Sequence, residues 1–183
     1  IQFDTVKATP ADHSEADYNY VLTAICCFSR FCWLIPIKDR GAETIGKALL
    51  ERVLLDMAMF PVVLRSDRAQ EFVSSVIGYM NSQLEIKHVL GSTYHPQSQG
   101  LVERMHRTMK AVITALCHDH PQKWVAMMPY AQCVLRILPL GALGGRSPYE
   151  VVTGLRPKLP AAMLTRLPVE EISVDLYMER LLG

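Results

Sequence analysis

Three acidic residues carry the chemistry that this chain is equipped to do. Asp4 lies in IQFDTV at the start, Asp67 in SDRAQEF, and Glu103 in TYHPQSQGLVERMHRTMK, with thirty-five residues separating the last two. Hard divalent cations such as Mg²⁺ and Mn²⁺ are bound by oxygen ligands. A few carboxylates leave coordination positions open for water and phosphate. Two such ions about 4 Å apart suit phosphoryl transfer, one at the attacking oxygen and one at the leaving oxygen. Taken singly, each acid also has an ordinary reading: an edge-strand surface acid, a turn residue after a strand, and one more charge on an amphipathic helix. An aspartate inside a strand is nevertheless unusual, since Asp is disfavoured there and costly to bury without a partner.

The local sequence supplies elements that would hold these acids. Ile1 to Val6 is a short apolar run that predicts a first strand around Asp4. Val62 to Leu64, bounded by Pro61, predicts a buried strand ending at Asp67. A helical pattern from about Ser98 to His118 carries Glu103 and follows a turn rich in Pro, Gln, Ser and Gly. On that helix Gln99, Arg107 and Lys110 stand at minus four, plus four and plus seven from Glu103, which at about 3.6 residues per turn is nearly one face. Basic groups there are placed to hold phosphates; the bland alternative is a Glu103–Arg107 ion pair.

Between these lie Tyr18 to Phe28 and Phe31 to Ile37, an expected antiparallel hairpin turning at Ser29-Arg30, and a helix over Gly41 to Met59 with Glu51 and Arg52 towards solvent. Further helices are expected over Glu71 to Leu84 and Gln122 to Leu138, with a short strand at Ile86 to Leu90. Gly141 to Arg146 is expected as a flexible loop. Ser147-Pro148-Tyr149-Glu150 has the N-cap, Pro and Glu pattern of a capped helix. Arg156 to Pro160 reads as a linker and Val169 to Leu182 as a terminal helix. This order predicts an α/β fold, a mixed sheet flanked by helices. Residues 1–154 form the expected core, and residues 155–183 a linker and C-terminal helix.

The motifs resemble those of the retroviral and gypsy-type retrotransposon integrase catalytic core. SDRAQEF resembles the family's S-D-x-G-x-E-F, with Ala69 where Gly is usual. TYHPQSQGLVERMHRTMK resembles Y-H-P-Q-x-x-G-x-x-E-R-x-x-x-x-x-K, and RSPYEVVTGLRPKLP resembles S-P-[YF]-E-x-x-x-G-x-x-P. The resemblance implies an RNase H-like fold with a five-stranded mixed sheet, in which the first and fourth strands are neighbours and bring Asp4 beside Asp67. It implies that Asp4, Asp67 and Glu103 are the catalytic acids and hold two Mg²⁺ or Mn²⁺ ions. It also implies 3′-end processing and strand transfer of element DNA, with Gln99, Arg107 and Lys110 facing the DNA end and Tyr94 to Gly100 as a mobile loop. Homodimers or tetramers acting in a nuclear integration complex are expected, with the apolar Trp124-to-Leu138 helix as part of the interface. Two alternatives stand beside this reading: a domesticated, non-catalytic DNA-binding or assembly module, and a ribonuclease H that would use Glu43.

Composition narrows the partners. Nineteen basic and eighteen acidic residues give a formal net charge of +1, so contact with DNA must come from a local patch. Half of the 183 residues are hydrophobic and a fifth charged, as in an ordinary globular domain. No membrane span is expected, because the apolar stretch Val21 to Ile37 is interrupted by Ser29 and Arg30. Five cysteines without a C-x-x-C argue for a reducing compartment, and Cys26 and Cys27 are expected as buried thiols. Cys117, His118 and His120 sit at a helix end without a second ligand pair, so zinc is not expected there. Because the sequence begins inside a strand pattern, it reads as an excised fragment of a larger protein.

Overall fold

A computed structural model describes residues 1–7, 17–56, 60–66, 84–90, 96–118 and 121–158, together with positions 78 and 82. Strands β1 (Gln2–Lys7), β2 (Tyr20–Ile25) and β3 (Cys32–Ile37) are antiparallel neighbours, with Asp4 opposite Thr23 and Thr23 opposite Leu34. Strand β4 (Val63–Ser66) runs parallel to β1, pairing Arg65 with Gln2, and β5 (Lys87–Leu90) runs parallel to β4. The order is β3-β2-β1-β4-β5, the expected mixed five-stranded sheet with the first and fourth strands adjacent.

Because strand side chains alternate, the sheet has two distinct faces. Phe3, Leu22, Ala24, Trp33 and Ile35 point to one face. There they meet Ile45 and Leu49 of α1 (Ala42–Leu49), then Val53 and Leu54 of the π-helical turn that continues it over Leu50–Leu54. Val6, Val21, Ile25, Cys32 and Leu34 point to the other face. That face is covered by Val102, Met105 and Met109 of α2 (Pro96–Leu116) and by Trp124, Met128, Ala131 and Leu135 of α3 (Trp124–Ile137). The apolar spacings on both helices are those of a single buried stripe.

The last described helix, α4 (Pro148–Thr153), opens with the capping box its sequence predicts. Ser147 Oγ accepts the Glu150 N–H at 3.2 Å, and Glu150 Oε2 accepts the Ser147 N–H at 2.8 Å. Gly154, at φ 71°, closes the helix in the left-handed conformation that glycine adopts freely.

Several local expectations are corrected. The hairpin turn begins at Cys26 rather than Ser29: the Cys26 N–H donates to Phe31 O at 2.8 Å, and the Arg30 N–H to Cys26 O at 2.9 Å. Cys26 and Cys27 are therefore half-buried turn residues, and the buried thiols are Cys32 and Cys117. Val62 is 82% exposed while Leu64 is fully buried, so β4 alternates instead of being buried throughout. Helix α2 begins at Pro96, two residues before the predicted start, which puts Gly100 inside the helix. A 3₁₀ turn over Pro121–Lys123 leads into α3, and a second over Gly141–Leu143 orders part of the predicted glycine loop. The apolar stripe of α3 packs on the sheet, with Met127 half-buried at the edge of that core. The predicted helices at Glu71 to Leu84 and Val169 to Leu182 lie outside the described residues, apart from positions 78, 82 and 84. Among the described residues no single helix is long and apolar enough to cross a membrane.

Candidate active site

Asp4 sits in the middle of β1, half-buried, and its Oδ1 accepts the N–H of Thr5 at 2.7 Å. Val6, two residues on, belongs to the core beneath α2, so strand alternation sends Asp4 to the α2 face as well. Thr23, the β2 residue opposite Asp4, is fully buried on that same face. Its hydroxyl donates to the backbone oxygen of Asp4 at 3.1 Å and lies 2.8 Å from Nε2 of His106 on α2. Helix α2 is thus tied to the sheet at the register of Asp4.

Glu103 lies one turn before His106 and is exposed. At about 100° per residue, His106 stands between the outer face that carries Glu103 and the buried stripe of Val102, Met105 and Met109. Arg107 and Lys110 are exposed on the Glu103 side, and neither pairs with Glu103. The ion pairs within 4.0 Å among the described residues are Lys47–Glu51 and Glu150–Arg156. Gln99 belongs to the first part of the same helix, and its side chain lies outside the described residues.

Asp67 also lies outside the described residues. Strand β4, parallel to β1, ends at Ser66 immediately before it in sequence. Ser66 is buried, and its hydroxyl lies 2.9 Å from Nε2 of His88 on β5. Glu43, the acid a ribonuclease H would need, opens α1 and lines a cleft with Tyr18, Lys38 and Arg136 beside β3, with β2 between that edge and β1. Among the described residues no three His, Cys, Asp or Glu side chains cluster as a metal site. Cys117 is buried and His118 exposed, while His120 is outside the described set.

The donor chemistry suits a hard cation. Asp4 and Glu103 offer carboxylate oxygens from two elements that pack on each other, and Asp4 keeps its orientation through the Thr5 amide. His106 adds no charge there. Burial, reinforced by the nearby Lys110 charge, pushes its pKa down to about 4 and leaves the imidazole neutral near pH 7. Sequence reasoning missed both Thr23 and His106. The only sequence signal for His106 was its place one turn from Glu103 on the core-facing side of the helix. For Thr23 there was no signal, because its partners come from residues nineteen and eighty-three positions away.

The sheet order and the helices on both faces define the RNase H-like class of fold. The family model of the integrase core domain matches residues 1–96, just over half of the chain, and the chain belongs to that family. It is 31% identical over 160 residues to the Gag-Pol polyprotein of avian reticuloendotheliosis virus and 38% identical over 142 residues to that of woolly monkey sarcoma virus. These matches cover 82% and 77% of the chain but only 14% and 8% of the polyproteins, so the chain spans a small part of either relative.

Solved integrase structures share the fold. The catalytic core domain of BIV integrase superposes with a TM-score of 0.63 at 25% identity, covering 82% of this chain and 90% of that one. The HTLV-2 integrase catalytic core domain in complex with magnesium, in a trimeric form, gives 0.65 at 18% identity, covering 82% and 93%. A chain of the simian T-cell lymphotropic virus intasome, solved in complex with PP2A regulatory subunit B56 gamma, gives 0.67 at 18% identity, covering 94% and 57%.

Proposed function

We propose that this chain is the catalytic core of a retroelement integrase, trimming the 3′ ends of element DNA and joining them to target phosphodiesters. The observation that carries the reading is the docking of the Glu103 helix onto β1 at the register of Asp4, through Thr23 and His106. Strand β4, parallel to β1 with Arg65 paired to Gln2, ends at Ser66, immediately before Asp67 in the sequence, which supports Asp67 as the third acid. In this reading Asp4, Asp67 and Glu103 hold two Mg²⁺ or Mn²⁺ ions, in line with the magnesium recorded for the HTLV-2 core. When bound, such ions supply Lewis-acid activation of the attacking oxygen and charge neutralisation at the leaving one.

The chain's own residues do the rest. Arg107 and Lys110, exposed and unpaired with Glu103, hold backbone phosphates of the DNA end, and Gln99 extends the same face. The phosphodiester is positioned by these contacts and attacked in line, with no covalent enzyme intermediate. Dimeric or tetrameric assembly belongs to the same reading, as does action in the nucleus. The trimeric HTLV-2 core and the simian intasome are multimeric precedents of the fold.

Mn²⁺-dependent disintegration, the reversal of strand transfer on a branched DNA, tests the proposal. The wild-type chain should resolve the branched substrate, and Asp67→Asn and Glu103→Gln should each abolish that activity while the protein stays folded. A folded wild type that neither cuts nor binds Mn²⁺ by calorimetry would instead identify a captured DNA-binding or assembly module. Cleavage of an RNA–DNA hybrid without strand transfer would identify a ribonuclease H.

A further inference from the structure

The contact between α2 and the sheet has a direction that the hydrogen bonds determine. Thr23 Oγ1 has a single proton, and the 3.1 Å contact commits it to the backbone oxygen of Asp4, which can only accept. The 2.8 Å contact with His106 therefore runs the other way, with Nε2–H donating and Thr23 Oγ1 accepting. This fixes the neutral imidazole as the Nε2–H tautomer and leaves Nδ1 without a proton. The relay His106 Nε2–H to Thr23 Oγ1–H to Asp4 O joins α2, β2 and β1 at one level of the sheet.

Its surroundings make the relay a point of registration rather than one more contact. Thr23 is fully buried, so its hydroxyl has no water to fall back on. Above and below it the α2 interface is made of Val102, Met105 and Met109, apolar side chains that tolerate small slides and rotations. A directional hydrogen bond does not tolerate them. The imidazole, neutral near pH 7, also keeps a positive charge away from carboxylates that would bind cations.

We propose that His106 is a positioning residue for the acid pair: acting through Thr23, it sets the rotation and height of α2 against β1, so that the Glu103 turn stays in register with Asp4. The inference rests on the functional reading above and deepens it. His106 touches neither DNA nor metal in this account; it acts through the helix it anchors.

Five proteins separate the outcomes: the wild-type chain, His106→Leu, His106→Gln, Thr23→Val and the double variant of His106→Leu with Thr23→Val. Each is followed by Mn²⁺ calorimetry, disintegration rate, thermal melting and, for the wild type, ¹⁵N correlation spectra of the histidine rings. The wild-type ring should show the Nε2–H tautomer. His106→Leu, which keeps the bulk and removes the donor, should remain folded and lose about tenfold in Mn²⁺ affinity, the usual size of such outer contacts. Thr23→Val should do the same, and combining the two should cost no more than either alone. His106→Gln, which restores a donor, should recover most of the affinity and rate without raising the melting temperature in proportion.

A ring in the Nδ1–H tautomer would overturn the proposal. So would His106→Leu and Thr23→Val proteins that bind Mn²⁺ and cut like an active wild type, leaving the functional reading intact. If His106→Leu does not fold, Thr23→Val, which changes one hydroxyl to a methyl, decides the matter. A wild type that neither binds Mn²⁺ nor cuts overturns the functional reading and this inference with it.

Discussion

The two faces of the sheet are built by different rules. Against α1 the contact among the described residues is an apolar cluster, with Phe3, Leu22, Trp33 and Ile35 meeting Ile45, Leu49, Val53 and Leu54. Against α2 and α3 the apolar seam is interrupted by directional polar contacts. His106 reaches Thr23, the Leu34 N–H donates to Gln132 Oε1 at 2.8 Å, and Arg136 Nε donates to Cys32 O at 2.8 Å. The last two cap the outer edge of β3, where the alternate residue Pro36 has no N–H to satisfy. The Arg136 guanidinium also lies over the Phe31 ring at 4.1 Å. An apolar face contributes stability without specifying position closely. A face that must hold an acid-bearing helix in register, and close a strand edge, uses hydrogen bonds whose geometry admits one arrangement.

That contrast can be broken from either side. The largest effect should come from Leu49→Ala, which opens a cavity in the fully buried α1 seam. Denaturant unfolding should show a loss of roughly 2–5 kcal/mol, with DNA and metal binding by the remaining folded fraction unchanged. Gln132→Leu should cost less, about 1–3 kcal/mol, because it leaves the Leu34 amide without its partner. It should also increase self-association in sedimentation measurements, since it uncaps part of an edge strand.

Acidification sharpens the comparison further. The folded pKa of His106 lies below the ordinary histidine value, so its contribution is fully present above about pH 6.5. That contribution is lost as the pH falls towards about 4. After allowance for partial solvent screening, the loss should be on the order of 1–2 kcal/mol. Burial lowers His88 on β5 as well, so the wild-type curve contains both groups, and subtraction of the His106→Gln curve isolates the α2 contact. The smallest change in stability should come from Arg107→Ala or Lys110→Ala, within about 0.5 kcal/mol on an exposed helix face. Each should nevertheless weaken DNA binding and reduce the slope of log affinity against log salt by about 1.

Much of this molecule was legible one stretch at a time. The apolar runs around Asp4 and before Asp67, the helical period around Glu103 and the Ser147–Glu150 cap are local patterns, and each produced the element it predicted at the described residues. The errors were of another kind. Val62 was expected to be buried and Cys26 and Cys27 to be core thiols; burial depends on what lies across from a residue, which its neighbours in sequence do not state.

The sequence by itself determined the three candidate acids, the elements that carry them and the family they resemble, because motif spacing and side-chain periodicity are properties of short segments. Only the tertiary structure decided the order β3-β2-β1-β4-β5, the burial of Thr23 beneath α2, its link to His106 and the capping of the β3 edge from α3. These contacts join residues 83 to 104 positions apart. Such pairs form only once sheet register and helix docking have brought distant segments to hydrogen-bonding distance.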